Sequence, residues 1–314
     1  MKNLPKMLVV GMIVLAVSGC SNNEGKKNES QFKTNNSSAA ISADFTSDYV
    51  IEATDVAARK DDVVLVDCRG EETAKKGTIE GAAAVSWQYL SNVEDVDQGE
   101  YEWGLVYEAP ELAKRLGKAG LSKEANLVLF SDGVEGWGED GRILWTLNQA
   151  GYEQVKLVNG GMQALKEAGL PTSKKITTLE SVNVEIESLD KGQSIDTTEL
   201  EADFTDYKLV DVRSKKEYDG ATKFGEAKGG HLPKAIHFAY TDLFQENGYL
   251  KSNEAIAELA EAAGLAKEDA LVTYCTGGIR SAYMAVILSS IGYNQVKNYD
   301  GSYYTWSANN KVEK

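Results

Sequence analysis

The chain repeats itself. The run "VDCR" at 66–69 returns as "VDVR" at 210–213, and "AGLSKEA" at 119–125 returns as "AGLAKEDA" at 263–270. "GYEQVK" at 151–156 returns as "GYNQVK" at 292–297, followed by "NGG" at 159–161 in the first copy and "YDG" at 299–301 in the second. Matches in one order, a step of about 144 residues apart, require a duplicated unit, and a unit that long is a whole domain, not one turn of a solenoid. With 314 residues and 42% hydrophobic content, the chain is long enough to bury two such cores.

Each copy carries short, mainly apolar runs: Val63 to Val66, Leu127 to Phe130 and Val155 to Val158, then Leu209 to Val212, Leu271 to Tyr274 and Gln295 to Tyr299. Such runs suit strands buried on both faces. Helical patterns lie between them, at Pro110 to Ala119, Arg142 to Ala150, Asn253 to Ala263 and Ile279 to Ile291. Alternating strand and helix predicts an α/β fold in which each domain is a parallel sheet flanked by helices on both faces. The polar segment from Thr172 to about Asp196 connects the domains, and its "VNVEI" alternation is expected to suit a sheet edge.

The ends and the charge narrow the setting. Lys2 and Lys6 precede an apolar run from Met7 to Val17, then Ser18, Gly19 and Cys20, the layout of a targeting segment. The run falls well short of the roughly 20 apolar residues that a spanning helix needs. "LAVSGC" resembles the lipobox of bacterial lipoproteins, which implies cleavage before Cys20 and a lipid on its sulfur; a plain secretory signal is the other reading. The expected address is extracytoplasmic, on the outer face of a membrane through that anchor. Residues 21–44, rich in Asn, Ser, Lys and Glu, read as a flexible tether. A formal net charge of −15 speaks against a nucleic-acid partner.

One stretch carries chemistry. In "YCTGGIRS", 274–281, Cys275 follows a strand-like run and precedes a helix-like one, which puts it at the carboxyl end of a parallel sheet, where α/β folds collect ligands. Gly277 and Gly278 let the loop curl so that Thr276, Ile279 and their neighbours turn N–H groups inward, and the helix start adds its positive dipole end. A free thiol is only about 3% ionised at pH 7. Loop amides and Arg280 are expected to depress its pKa and make Cys275 a nucleophile at neutral pH. Cys68, in a strand where the other copy has Val212, reads instead as a buried structural cysteine.

The tandem pattern resembles the two-domain rhodanese family of sulfurtransferases from about residue 45 to the C-terminus. The resemblance rests on "LVDVR" (209–213), "GGHLPKAIHF" (229–238), "YCTGGIRS" and "YDGSYYTW" (299–306), with "LVDCR", "EGAAAVSW" and "VNGGMQAL" in the first copy. It implies an inactive rhodanese-like domain at 45–175, a linker at 176–195 and a catalytic domain at 196–314. It also implies that Cys275 takes a sulfane sulfur from a donor such as thiosulfate, becomes a persulfide held by the loop from Thr276 to Ser281, and passes the sulfur to a thiophilic acceptor such as cyanide or a thiol. No cofactor or metal is required. Arg280 is expected to orient an anionic donor's oxygens. Cysteine phosphatases and arsenate reductases also use Cys-to-Arg loops, but with five intervening residues where Cys275 and Arg280 have four. A surface lipoprotein that binds a small anion without turnover is the reading from a different class.

The first copy aligns Asp132 with Cys275, and its stretch up to Arg142 is two residues longer than the counterpart up to Tyr283. A carboxylate there cannot carry a persulfide. Asp132, Glu135, Glu139 and Asp140 offer carboxylates to a calcium ion but lack the spacing of an EF-hand, and a solvated acidic loop is the commoner reading. By the family motif, Asp211 and Arg213 are expected to form an ion pair supporting the active loop, and His231 to be a hydrogen-bonding turn residue. His237 is expected to be packed. Glu217 lies where thiosulfate-using rhodaneses often carry an arginine. Tyr303, Tyr304 and Trp306 either line the cleft or pack the core. The loop "CTGGIR" is the usual signature of neither the thiosulfate nor the 3-mercaptopyruvate subclass; the nearby arginine favours thiosulfate.

Overall fold

The computed structural model describes residues 45–314; the targeting segment, Cys20 and the tether lie outside them. In the first repeat the apolar runs become strands β1 (Val50–Ile51), β2 (Val64–Asp67), β3 (Ala83–Ala84), β4 (Leu127–Phe130) and β5 (Val155–Val158). They form a parallel sheet in the order β1-β5-β4-β2-β3. The second repeat supplies β6 (Ser194–Ile195), β7 (Lys208–Asp211), β8 (Ile236–His237), β9 (Ala270–Tyr274) and β10 (Gln295–Tyr299), ordered β6-β10-β9-β7-β8. The two orders are the same, so the duplication visible in sequence is a duplication of topology.

The strands run as expected to within a residue, and the difference is instructive. Both β2 and β7 end on an aspartate, Asp67 or Asp211, which is fully buried. A carboxylate tolerates that only when paired. Asp67 accepts from Arg69 Nη2 at 2.7 Å and Thr78 Oγ1 at 2.7 Å. Asp211 accepts from Arg213 Nη2 at 2.6 Å and the Tyr274 hydroxyl at 2.7 Å.

Helices α1 (Ala109–Lys118), α2 (Glu139–Gln149), α3 (Gly161–Glu167), α4 (Asn253–Ala262), α5 (Ile279–Ser290) and α6 (Ser302–Asn309) cover the sheets. The repeated "AGL" and "GY" motifs are their stop signals. Gly120, Gly151, Gly264 and Gly292 all have φ between 73° and 96°, the left-handed conformation that glycine adopts freely. The residue after each closes the helix by donating five residues back, as Leu121 N–H does to Leu116 O at 3.1 Å and Tyr293 N–H to Leu288 O at 3.1 Å.

One buried cluster spans both domains, beside a further cluster in each. Helix α2 packs on α5 so closely that a Cβ on Gly141 would meet the Tyr283 ring at 2.4 Å. Ile143, Leu144 and Leu147 belong to the same buried cluster as Tyr240, Tyr283 and Ile287. Helix α5 is buried on nearly every side, as expected of a helix that is apolar all round. The "VNVEI" stretch joins no sheet edge. It runs beside α1, with Val182 N–H donating to Gly117 O at 3.0 Å. Gly117 and Gly120 leave the room: a Cβ on either would sit 2.5 Å or less from Val182 O or Leu179 Cβ.

Candidate active site

Strand β9 ends at Tyr274, and α5 begins at Ile279 with Gly278 before it at φ 85°. The four residues between form a loop at the carboxyl end of the sheet, beside the end of β7. Its backbone is gripped by the start of α6: Tyr303 N–H donates to Cys275 O at 3.1 Å and Tyr304 N–H to Thr276 O at 3.0 Å. Cys275 N–H donates to Ser302 Oγ at 3.0 Å, so this amide turns to the "YDGS" segment and not into the ring expected around the sulfur. Ser302 holds φ 54°, unusual for a residue with a Cβ and a mark of a constrained functional segment.

Cys275 is only 1% exposed, yet it is one of the residues on the wall of a cleft. Burial alone would raise the thiol pKa. The Arg280 guanidinium, the Ser281 N–H and hydroxyl and the Gly277 N–H outweigh burial and bring the thiol below its ordinary value. The buried Ser281 hydroxyl has no oxygen or nitrogen partner among the described residues.

Arg280 is itself committed. Its Nη1 donates to Glu217 Oε2 at 3.1 Å, its Nη2 to Glu217 Oε1 at 2.8 Å and to Thr276 Oγ1 at 2.9 Å, and it lies 5.1 Å from the Trp137 ring centre. Glu217 is buried, which would raise its pKa, but Arg280 and Ser214 pull it down to about 2. The acid standing where an arginine is common is therefore the partner of the loop arginine. Both terminal nitrogens expected to hold donor oxygens are occupied by Glu217.

The supporting residues sit one layer back. Arg213 and Asp211 form a fully buried ion pair; Arg213 also donates to Gly230 O at 2.7 Å and stacks 3.7 Å over the Tyr303 ring. The two histidines lie away from the cleft: His231 Nδ1 is 3.0 Å from Tyr218 O with its ring stacked on Tyr218, and His237 Nε2 is 2.8 Å from Arg213 O. Of the three C-terminal aromatics, Tyr304 lines the cleft, whereas Tyr303 and Trp306 pack in the core.

In the first domain, Asp132 accepts from Arg69 Nη1 at 2.8 Å, so the position of the nucleophile is occupied by half of an ion pair. Asp140 is buried, and burial together with nearby Glu139 pushes its pKa up to about 7. Among the described residues, no group of three or more His, Cys, Asp or Glu side chains is placed to hold a metal ion. Cys68 is fully buried, and burial raises its thiol well above the ordinary value.

The first domain nonetheless reaches the second domain's loop. Arg142, fully buried on α2, pairs with Asp300 at 2.5 Å and donates to Gly278 O at 3.2 Å and Gly104 O at 2.9 Å. Trp87, Trp103 and Trp137 line the cleft opposite Phe224 and Tyr304. Sequence reasoning did not single out Arg142, Asp300, Ser302 or these tryptophans. The available signal for Arg142 was a charge inside the otherwise apolar turn "RILW", and for Trp137 the two-residue extension that carries it.

A family model of the rhodanese-like domain matches residues 52–168 and again 196–309. The chain belongs to the rhodanese-like family. Curated relatives of this rhodanese-like chain include a thiosulfate sulfurtransferase from Azotobacter vinelandii, 30% identical over 260 residues that cover 82% of this chain and 93% of the relative. A second, from Pseudomonas aeruginosa, is 27% identical with the same coverage. The sulfur carrier protein TtuD of Thermus thermophilus is 28% identical over 246 residues, 73% of this chain and 82% of that protein. Among solved structures, wild-type EanB superposes with a TM-score of 0.74 at 20% identity, covering 85% of this chain and 69% of that one, a likeness of fold. The rhodanese-like chain is thus a sulfurtransferase enzyme of two α/β domains.

Proposed function

We propose that the second domain moves sulfane sulfur through a persulfide on Cys275. The observation that carries this is a thiol below its ordinary pKa, held by Arg280, Ser281 and Gly277 on the wall of a cleft. The names of the relatives support thiosulfate as donor. In the first half-reaction the Cys275 thiolate attacks the outer sulfur of thiosulfate; the sulfur–sulfur bond of the donor breaks and sulfite leaves with its electron pair. In the second, a thiophilic acceptor, cyanide or a thiolate, attacks the outer sulfur of the persulfide, and Cys275 leaves as thiolate. Charge balances in both steps, and no outside oxidant or reductant is used. The Ser281 and Gly277 donors favour the anionic sulfur in both states. The lipobox-like "LAVSGC" supports anchoring through Cys20 at an outer membrane face; a Cys20→Ser protein that still sediments wholly with membranes would refute it.

Intact mass after thiosulfate treatment is the test. One added sulfur on Cys275, removed by cyanide and missing from Cys275→Ser, is the expected result. Full turnover by Cys275→Ser would overturn the assignment.

A further inference from the structure

The Cys275 loop opens onto a cleft of about 350 Å³. Small-molecule sites run from about 300 Å³ upward, so this space is that of an organic ligand, well beyond what an inorganic anion or cyanide fills. Five rings form its walls. Trp103 meets Tyr304 edge-on at 4.9 Å and Trp87 at 6.4 Å, and Trp137 meets Phe224 edge-on at 5.0 Å. These T-shaped contacts hold the walls in place before anything binds. The rings reach down to the loop itself: a Cβ on Gly277 would lie 3.3 Å from Tyr304 and 3.4 Å from Trp103.

The charge of the cleft points the same way. Among the described residues, Arg280 is the only Lys, Arg, Asp or Glu on its wall, and Glu217 engages both of its terminal nitrogens. The other polar side chains there, Gln88, Gln98 and Thr276, are neutral. A large multiply charged body spread along the ring walls would surrender its hydration with no unpaired counter-charge to replace it, whereas an apolar body gains by leaving water; thiosulfate is small enough to stay at the loop, beside the Gly277 and Ser281 donors.

We propose that the acceptor is an organic thiol with an aromatic or otherwise apolar body, which lies between the rings while its sulfur attacks the persulfide. This rests on the Cys275 persulfide and adds the identity of the acceptor class. The acceptor thiolate forms a bond to the outer sulfur, the bond from that sulfur to Cys275 Sγ breaks, and the products are an organic persulfide and the Cys275 thiolate. Trp87 and Trp103, contributed by the domain that has Asp132 in place of Cys275, are then specificity-determining residues.

The experiment loads the full-length protein with thiosulfate, verifies one added sulfur on Cys275 by mass, and follows its loss to two thiols of similar acidity, benzyl mercaptan and 2-mercaptoethanol. Each rate is normalised to the same protein's discharge by cyanide. Benzyl mercaptan is expected to be favoured by about tenfold, the factor that roughly 1.4 kcal/mol of ring burial supplies. Trp103→Ala, and separately Trp87→Ala, is expected to bring that ratio down at least about threefold, and Trp103→Phe to retain most of it. A ratio near one in the native protein, or one unchanged in both alanine variants, overturns the acceptor class and leaves the persulfide standing. Failure to add sulfur to Cys275 overturns both.

Discussion

A buried anion needs neighbours that do not move, and at Cys275 the neighbours are themselves fixed by an ion pair. Glu217 clamps Arg280 with two hydrogen bonds and is oriented in turn by Ser214, whose N–H and hydroxyl donate to it at 3.0 Å and 2.6 Å. Because the folded pKa of Glu217, about 2, lies below the ordinary carboxylate value near 4.3, its contribution to stability is present in full above that value. It is lost as pH falls toward 2. Denaturation followed from pH 6 down to pH 2 should show native stability dropping more steeply than that of Glu217→Gln, which has no carboxylate to protonate; parallel curves would count against the clamp. Cys275, its glycines and Arg280 were legible in the sequence because they lie within six consecutive residues. The clamp was not, since Glu217 and Arg280 are 63 residues apart and nothing in composition joins them.

At the scale of elements, the sequence reads well wherever one local rule decides. Apolar runs place the strands, and the stop glycines place the helix ends. It reads poorly where an element borrows from another, as when the buried aspartates that end β2 and β7 are held by arginines two residues on. The connector also follows a groove that exists only because two glycines of or beside α1 lack side chains. Glycines of equal φ are not equal in consequence. Gly264, at φ 91°, has open space around its Cβ direction, so Gly264→Ala bears only the backbone cost, about 1 kcal/mol. Gly278, at φ 85°, would drive a Cβ to 2.6 Å from Asp300 O and 3.0 Å from Arg142. Gly278→Ala should therefore cost roughly 2–4 kcal/mol and abolish sulfur loading. Urea denaturation of the pair measures the difference; equal losses would remove the special role of the Gly278 approach.

For the whole molecule, duplication followed by divergence has produced a division of labour. The first domain has an ion pair where its twin has a thiol, but it supplies Arg142 to the Cys275 loop and three tryptophans to the cleft. Arg142→Met leaves Asp300 buried without its cation, and breaking one side of such a pair costs about 3–5 kcal/mol. Sulfur loading should weaken alongside, because Gly278 O loses its donor from α2; a stable variant that loads normally would show the two domains to be independent. The depth of Cys275 carries one more consequence. A disulfide brings the two α-carbons to about 5.5–6 Å, and a residue 1% exposed beneath aromatic walls cannot meet a cysteine seated on another folded surface at that range. The Cys275 residues of two folded copies therefore do not come within disulfide range of each other, and in the proposed chemistry sulfur enters or leaves on something slender enough to pass between the rings.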